Sequence, residues 1–286
     1  MSIIVLTGGT GFVGRQIHKA LVAAGKSVRL VVRPAAKARL ESQSSTAELV
    51  ESEDLFAEQP EWWERICQGA DAVIHAAWYV EPGRYLGATE NIACVSGSLS
   101  LAQGALGAGV GKFIGLGTCM EYRLPSSNLS VDSELDPNTL YASSKLSTFY
   151  MLRELFRDTD VVFSWCRLFY LYGEGEHPNR LFPYVRRQIE SGQIAKLSHG
   201  AQIRDFLDVA DAGRMIAQVL ETGQPGAINI CSGIPITVRQ FAEQIADAYG
   251  RRDLLEFGPH VGHSFDPAAV VGICNLVSSK GIGERP

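Results

Sequence analysis

Short apolar runs alternate along the chain with longer stretches in which apolar residues recur every three or four positions. The run at 3–7 is aliphatic and β-branched without interruption, as in a strand covered on both faces, and Phe12, Val13, Ile17, Ala20, Leu21 and Ala24 follow it at helical spacing. Gly25 ends that helix, and a second strand is predicted over 27–32. Further strands are predicted at 47–50, 70–76, 112–117, 161–166 and 227–230, with helical patterns at 60–69, 85–109, 140–157, 208–221 and 237–249. Strands that alternate with helices in this way build parallel βαβ units, so the predicted class is α/β, a doubly wound parallel sheet. Near Arg167 the alternation loosens, and Gly173, Gly175 and Pro178 punctuate a loop-rich stretch where a smaller C-terminal lobe is expected to begin. No internal repeat or low-complexity linker interrupts the pattern.

Composition narrows the classes. With 286 residues, 46% apolar and 20% charged, the chain has the make-up of a protein folded about its own core. A net charge of -5 disfavours a phosphate-backbone binder, which needs a clustered basic surface, so nucleic acid is not an expected partner. Cys67, Cys94, Cys119, Cys166, Cys231 and Cys274 stand singly, without a C-x-x-C pair, as buried thiols of a reducing compartment do. No signal segment opens the chain, and the first apolar run falls far short of the roughly 20 residues of a membrane span. The expectation is a soluble cytoplasmic protein without a membrane partner.

Candidate chemistry begins in TGGTGFVG, residues 7–14. Gly9, Gly11 and Gly14 satisfy G-x-G-x-x-G, with Gly8 ahead of them and Phe12 and Val13 between, directly between the first predicted strand and helix. In a Rossmann-like fold such glycines allow a tight turn, a close backbone approach to a pyrophosphate and close helix packing, while the helix N-terminus offers N–H groups and a positive dipole end. The chain is accordingly divided into a dinucleotide-binding domain, 1–166, and a mainly substrate-binding lobe, 167–286, with about 206–230 returning to the first domain. A carboxylate about 20 residues after the motif would bind the adenosine ribose. Arg33 stands there instead; no Asp or Glu occurs from Arg15 to Leu40, and Arg29, Lys37 and Arg39 add positive charge. The expected cofactor is therefore NADP rather than NAD, the alternative being a solvated basic loop.

YASSK places Tyr141 and Lys145 four apart at the start of a predicted helix, on one face. A neighbouring ammonium would favour the phenolate, lower the tyrosine pKa and fit Tyr141 for proton transfer near neutrality. Together with TGGTGFVG, Asp54-Leu55, HAA at 75–77, FIGLGTCMEY, RLFYLYG and RDFLDVAD, the chain resembles the extended short-chain dehydrogenase/reductase family, the NAD(P)-dependent nucleotide-sugar epimerases, dehydratases and reductases. The resemblance implies that Asp54 and Leu55 border the adenine, that Ala76 and Ala77 line the cofactor, that Lys145 also holds the nicotinamide ribose and that Thr118 hydrogen-bonds the reacting oxygen.

Departures from the family pattern narrow the reaction. Family dehydratases carry Asp-Glu after the catalytic threonine, where this chain has Cys119 and Met120; Glu121 comes one position later and, by strand alternation, is expected on the opposite face. Cys94 and Tyr170 occupy places where the family has asparagine. Arg180 and Arg204 match positions that face the ligand, and a guanidinium suits a diphosphate, the alternative for each being a surface salt bridge. His260 and His263 lack the further ligands of a metal site, and Trp62 and Trp63 read as packing residues. The expected activity is NADPH-dependent reduction of a keto group on a nucleotide-activated deoxysugar. A 4-epimerase that retains its cofactor, a non-sugar ketone reductase and a non-catalytic NADP-binding sensor or scaffold are the alternatives. The resemblance also implies a homodimer paired through the helices at 85–109 and 140–157, with Gly97, Ala102, Gly104, Ala105 and Ala108 allowing close approach.

Overall fold

The computed structural model describes residues 2–42, 47–259 and 266–277. Its strands are β1 (Ile3–Thr7), β2 (Ser27–Val32), β3 (Glu48–Glu51), β4 (Ala72–His75), β5 (Lys112–Thr118), β6 (Ser126–Leu129), β7 (Val162–Leu168), β8 (Tyr170–Tyr172), β9 (Ala195–Leu197), β10 (Ile203–Asp208), β11 (Gly226–Ile230), β12 (Pro235–Thr237), β13 (Leu255–Phe257) and β14 (Ala269–Gly272). The helices are α1 (Phe12–Ala23), α2 (Pro34–Ser42), α3 (Pro60–Cys67), α4 (Glu90–Gly107), α5 (Leu140–Phe156), α6 (Leu181–Glu190), α7 (Val209–Thr222) and α8 (Val238–Asp247).

Seven strands form one all-parallel sheet in the order β11-β7-β5-β4-β1-β2-β3. This is a Rossmann-like doubly wound arrangement. The chain order reverses between β1 and β4, and the C-terminal ends of those strands open the crevice in which such folds hold ligands. One apolar core, including Leu6, Ile17, Leu30, Ile74 and Ile216, fills one side of the sheet; a second, including Val5, Trp63, Leu101, Phe113, Phe149 and Trp165, fills the other. A second sheet, β12-β10-β14-β6 with β8 against β10, and the β9/β13 pair build the smaller lobe, where Phe206 stacks on Phe241 at 4.0 Å between centroids.

Local chemistry explains where α1 stops. Gly25, at φ +71, takes the left-handed turn, and the Gly25 and Lys26 N–H groups bond back to the Val22 and Leu21 carbonyls, a Schellman closure. Two helices depart from the expected pattern. α2 replaces the basic loop: Pro34 opens it, and its alanine-rich sequence carries no apolar stripe to signal it. α6 arises inside the stretch read as loop-rich. The helix expected from 85 begins only at Glu90, because the buried Asn91 side chain donates to the Tyr85 and Ala88 carbonyls and holds 85–88 as a turn.

The small residues of α4 also serve a different purpose from the one expected. A Cβ on Gly97 would lie 2.5 Å from Phe56 Cα, and one on Gly104 2.4 Å from Trp63 Cβ. These glycines, with the buried Ala102 and Ala105, admit α3 and its approach within the chain and are turned away from any partner. Among the described residues no helix is long and apolar enough to cross a membrane.

Candidate active site

The glycine loop is a cradle of backbone. Gly8 has φ +69, and a Cβ there would lie 2.6 Å from Ala77 N; on Gly14 it would lie 2.1 Å from Gly8 O, and on Gly9 2.7 Å from Leu30 Cδ2. The loop thus presses against β4's end at Ala76–Ala77 and against its own helix, leaving no space for side chains. Gly11 caps α1 without a side-chain bond, and no acidic residue stands in the first turn, so the N-terminal N–H groups face the crevice without an anionic competitor. Phe12 and Val13 begin that helix. A dinucleotide's pyrophosphate fits this donor set.

Behind the loop, Thr7, His75 and Ser98 form a buried relay. Ser98 Oγ donates to Cys94 O at 2.6 Å and so accepts from His75 Nε2 at 2.8 Å; His75 Nδ1 then accepts from Thr7 Oγ1 at 2.7 Å. Thr7 Oγ1 in turn accepts the Ala77 N–H at 3.3 Å, which pins the β4 end against the loop. Burial, aided by the Lys145 charge, lowers the His75 pKa to about 3.

Where the adenosine end was expected, the basic cluster is smaller than the sequence suggested. Arg33, exposed at the end of β2, makes no side-chain hydrogen bond or ion pair among the described residues. Arg29 points elsewhere: it pairs with Glu48 at 2.8 Å and donates to the Ile66 and Gln68 carbonyls, on the far side from the crevice mouth. Lys37 is engaged by Glu51 at 3.4 Å, so β3 supplies the carboxylates missing from 15–40. Asp54 is exposed and accepts the Phe56 N–H at 3.0 Å, while Leu55 packs on the core.

At the end of β5 lie the residues expected to form the reacting centre. The buried Thr118 closes the strand and caps a 3-10 turn at 119–121, its hydroxyl accepting the Met120 N–H at 3.3 Å, and it lies near enough to the Tyr141 phenol to act on that phenol's pKa. Thr139 caps α5 by accepting the Ala142 N–H at 3.1 Å, which sets Tyr141 in its first turn and Lys145 one turn later. The expected effect of Lys145 on Tyr141 needs correction. Lys145 Nζ donates to Leu116 O at 2.7 Å and lies 3.7 Å from the centre of the Trp78 ring, so it is not the phenol's charge partner. Burial and the neighbouring Tyr85 raise the Tyr141 pKa, with the nearby Thr118 hydroxyl acting in the opposite direction. Burial also brings Lys145 down to about 7.

Glu121 likewise differs from the expectation. The strand has ended before it, so alternation does not decide its side. Its carboxylate folds back to accept the Thr118 N–H at 2.9 Å and is wholly buried against Arg167 Nε at 2.7 Å and Trp165 Nε1 at 3.1 Å. Cys119 is buried, and burial pushes its thiol up to about 12. No second acid–base pair of the Asp-Glu kind therefore follows Thr118.

On the expected substrate side, Arg180 is exposed and 3.6 Å from Glu176; burial raises the Tyr85 pKa, and the nearby Arg180 charge opposes that rise. Arg204 is buried, ion-paired with Asp266 at 2.5 Å and stacked 5.0 Å over Tyr170, so its guanidinium is already engaged within the protein. His260 and His263 lie outside the described residues. Spacing alone missed Trp78, Tyr85 and Asn91; the only signal for Trp78 was its place directly after HAA.

The NAD dependent epimerase/dehydratase family model matches residues 4–231. A dTDP-6-deoxy-L-talose 4-dehydrogenase (NAD(+)) of Aggregatibacter actinomycetemcomitans is 22% identical over 280 residues, covering 94% of this chain and 98% of that protein. Among solved structures, a UDP-N-acetylglucosamine 4-epimerase from Methanobrevibacter ruminantium superposes with a TM-score of 0.83 at 21% identity, covering 96% of this chain and 90% of that one. A dTDP-glucose 4,6-dehydratase from Streptomyces venezuelae, with NAD bound, superposes with a TM-score of 0.77 at 24% identity, covering 94% and 88%.

Proposed function

Since the chain belongs to the NAD dependent epimerase/dehydratase family, we propose that this extended short-chain dehydrogenase-type oxidoreductase reduces a keto group on a nucleotide-activated deoxysugar with NADPH. The observation that carries the reading is the juxtaposition of Thr118, at the end of β5, with Tyr141, in the first turn of α5, while the neighbouring carboxylate, Glu121, is locked on Arg167. Such a centre has the groups for carbonyl reduction and lacks the extra acid and base that removal of water requires. The full-length relative whose name specifies a 4-dehydrogenase of a dTDP-6-deoxysugar supports the same class of substrate.

When bound, reduced nicotinamide supplies the hydride. The protein's part is to hold the keto oxygen between the Thr118 hydroxyl, which donates a hydrogen bond, and the Tyr141 hydroxyl, which gives the proton. A phenol kept protonated by burial is loaded as a general acid. Lys145, one turn along, would hold the nicotinamide ribose. Gly8, Gly9, Gly11, Phe12, Val13 and Gly14 would cradle the pyrophosphate, with Ala76, Ala77, Asp54 and Leu55 along the rest of the cofactor. Arg33 has its guanidinium open for a 2′-phosphate, which supports NADPH over the NAD named for the relatives. Arg180, at the mouth, is the candidate for the substrate's phosphates; Arg204 would shape the pocket through Tyr170.

Purified protein should consume NADPH in step with a 4-keto-6-deoxy nucleotide sugar, followed by nicotinamide absorbance and product separation. Epimers formed without net loss of NADPH would establish the epimerase alternative. We also propose a homodimer, through the apolar groove of α4 and α5 lined by Leu99, Tyr150, Met151 and Leu155 rather than through the α4 glycines. Met151→Glu should then give a monomer in light scattering; a wild-type monomer at micromolar concentration refutes the pairing.

A further inference from the structure

Asn91 is fully buried, and its side chain ties two loops together. Its Oδ1 accepts the Trp78 indole N–H at 2.8 Å, and its Nδ2 donates to the carbonyls of Tyr85 at 2.7 Å and Ala88 at 2.8 Å. The first loop presents the Trp78 ring face to Lys145 Nζ, 3.7 Å from the ring centre. The second sets Tyr85 edge-on against Tyr141 at 4.8 Å and lets Leu86 O accept the Tyr141 backbone N–H at 3.0 Å. Both donors and the acceptor of one amide are thus used to fix the surroundings of two residues on α5.

We propose that Asn91 and Trp78 are positioning residues: Trp78 holds the Lys145 cation on its ring face, and Asn91 fixes both that ring and the turn that seats Tyr141. The proposal rests on the reading of Tyr141 and Lys145 as the reacting pair. Its physical basis is that a buried ammonium has lost most of its water, and an indole face, negative at its centre, replaces part of it at little conformational cost. The other titratable groups around Lys145 are His75 from β4, Cys94 from α4 and Glu121 from the 3-10 turn. His75, with its pKa near 3, is neutral at working pH and adds no opposing charge, and Glu121 is spent on Arg167. The charged form is therefore supported by the Leu116 carbonyl at 2.7 Å and by the Trp78 ring face at 3.7 Å, with the Trp165 ring farther off at 6.0 Å.

The resonance measurements use the 286-residue chain without cofactor, and the rate measurements the same chain with NADPH. Nuclear magnetic resonance of isotopically labelled lysine, with Lys145 assigned by its loss in Lys145→Met, should show its ε-methylene resonance shifted upfield by the indole ring current. Trp78→Leu should abolish that shift and lower the Lys145 titration midpoint by about one unit, whereas Trp78→Phe, which keeps a ring face, should move it by less than half as much. In Asn91→Ser the ring-current shift should shrink, and kcat for NADPH-dependent reduction should fall about tenfold, the scale of a small misplacement of reacting groups. An ordinary lysine shift in the wild type overturns the proposal without any variant, and so does a midpoint unmoved by Trp78→Leu. Wild-type kcat and ring-current shift in Asn91→Ser overturn the part given to Asn91. If turnover survives Tyr141→Phe while the Lys145 resonance behaves as stated, the catalytic reading fails and the positioning contact stands.

Discussion

At the β1 end of the crevice the walls are backbone: Gly8 against Ala77, Gly14 against Gly8, and the uncapped start of α1. At the β5 end they are side chains, with Trp78, Tyr85, Thr118, Tyr141, Lys145 and Tyr170 gathered from loops, strand ends and a helix. A backbone wall recognises what is common to all dinucleotides, a pyrophosphate, and it must be written as consecutive residues. A side-chain wall recognises one reaction and one substrate, and its members need only meet in space. The two ends are joined by the Thr7–His75–Ser98 relay under the loop and by Lys145, which lies between them.

If the two ends carry separate tasks, substitutions should separate them. The largest effect is expected from Tyr141→Phe, which should cost at least about a hundredfold in turnover while cofactor affinity stays within a few-fold. Cofactor titration beside steady-state rates reads both; loss of binding together with rate would show that the ends are not separable. Next, Arg33→Asp should shift preference from NADPH toward NADH by on the order of a hundredfold, because a charge-assisted contact is exchanged for a repulsion. Equal wild-type affinity for the two cofactors would make Arg33 an ordinary solvated residue. Gly14→Ala should act oppositely to Tyr141→Phe: its Cβ meets Gly8 O at 2.1 Å, so cofactor binding and stability both fall, the latter by about 1–3 kcal/mol in chemical denaturation.

The relay between the ends should show its proton linkage only in acid, leaving the neutral-pH protein least affected. The folded His75 pKa, about 3, lies below its ordinary 6.5. Between those values the unfolded chain takes up a proton that the folded chain refuses, so stability is lost as pH falls from about 6.5 toward 3. His75→Gln should remove up to about 1.4 kcal/mol per pH unit of that slope, read from urea unfolding at a series of pH values. Identical slopes in the two proteins would mean that His75 does not carry the linkage.

The strand, glycine loop and helix at the β1 end were legible before the structure because their information is contiguous. A β-branched run, a glycine loop and an amphipathic helix follow one another within 24 residues, and local sterics force the rest. That Tyr141 and Lys145 stand one turn apart at the start of one helix was legible for the same reason, being a helix period, whereas the charge pairing expected of them was not found. Charge was read less well. Arg29 and Lys37 looked like part of a phosphate site until β3 brought Glu48 and Glu51 beside them. Arg204 looked like a ligand contact until Asp266, 62 positions away, engaged it. The α4 glycines looked like a meeting surface until α3 filled it.

By itself the sequence determined the alternating βαβ architecture, the side-chain-free loop and the presence of a threonine, a tyrosine and a lysine at family spacing, because periodicity and backbone sterics act between near neighbours. Only the tertiary structure decided which charges remain open, that Glu121 caps a turn and is neutralised by Arg167, and that Lys145 rests on Trp78. Those outcomes depend on desolvation and on partners supplied by other strands and loops, and burial and ion pairing are properties of the packed chain rather than of any segment of it.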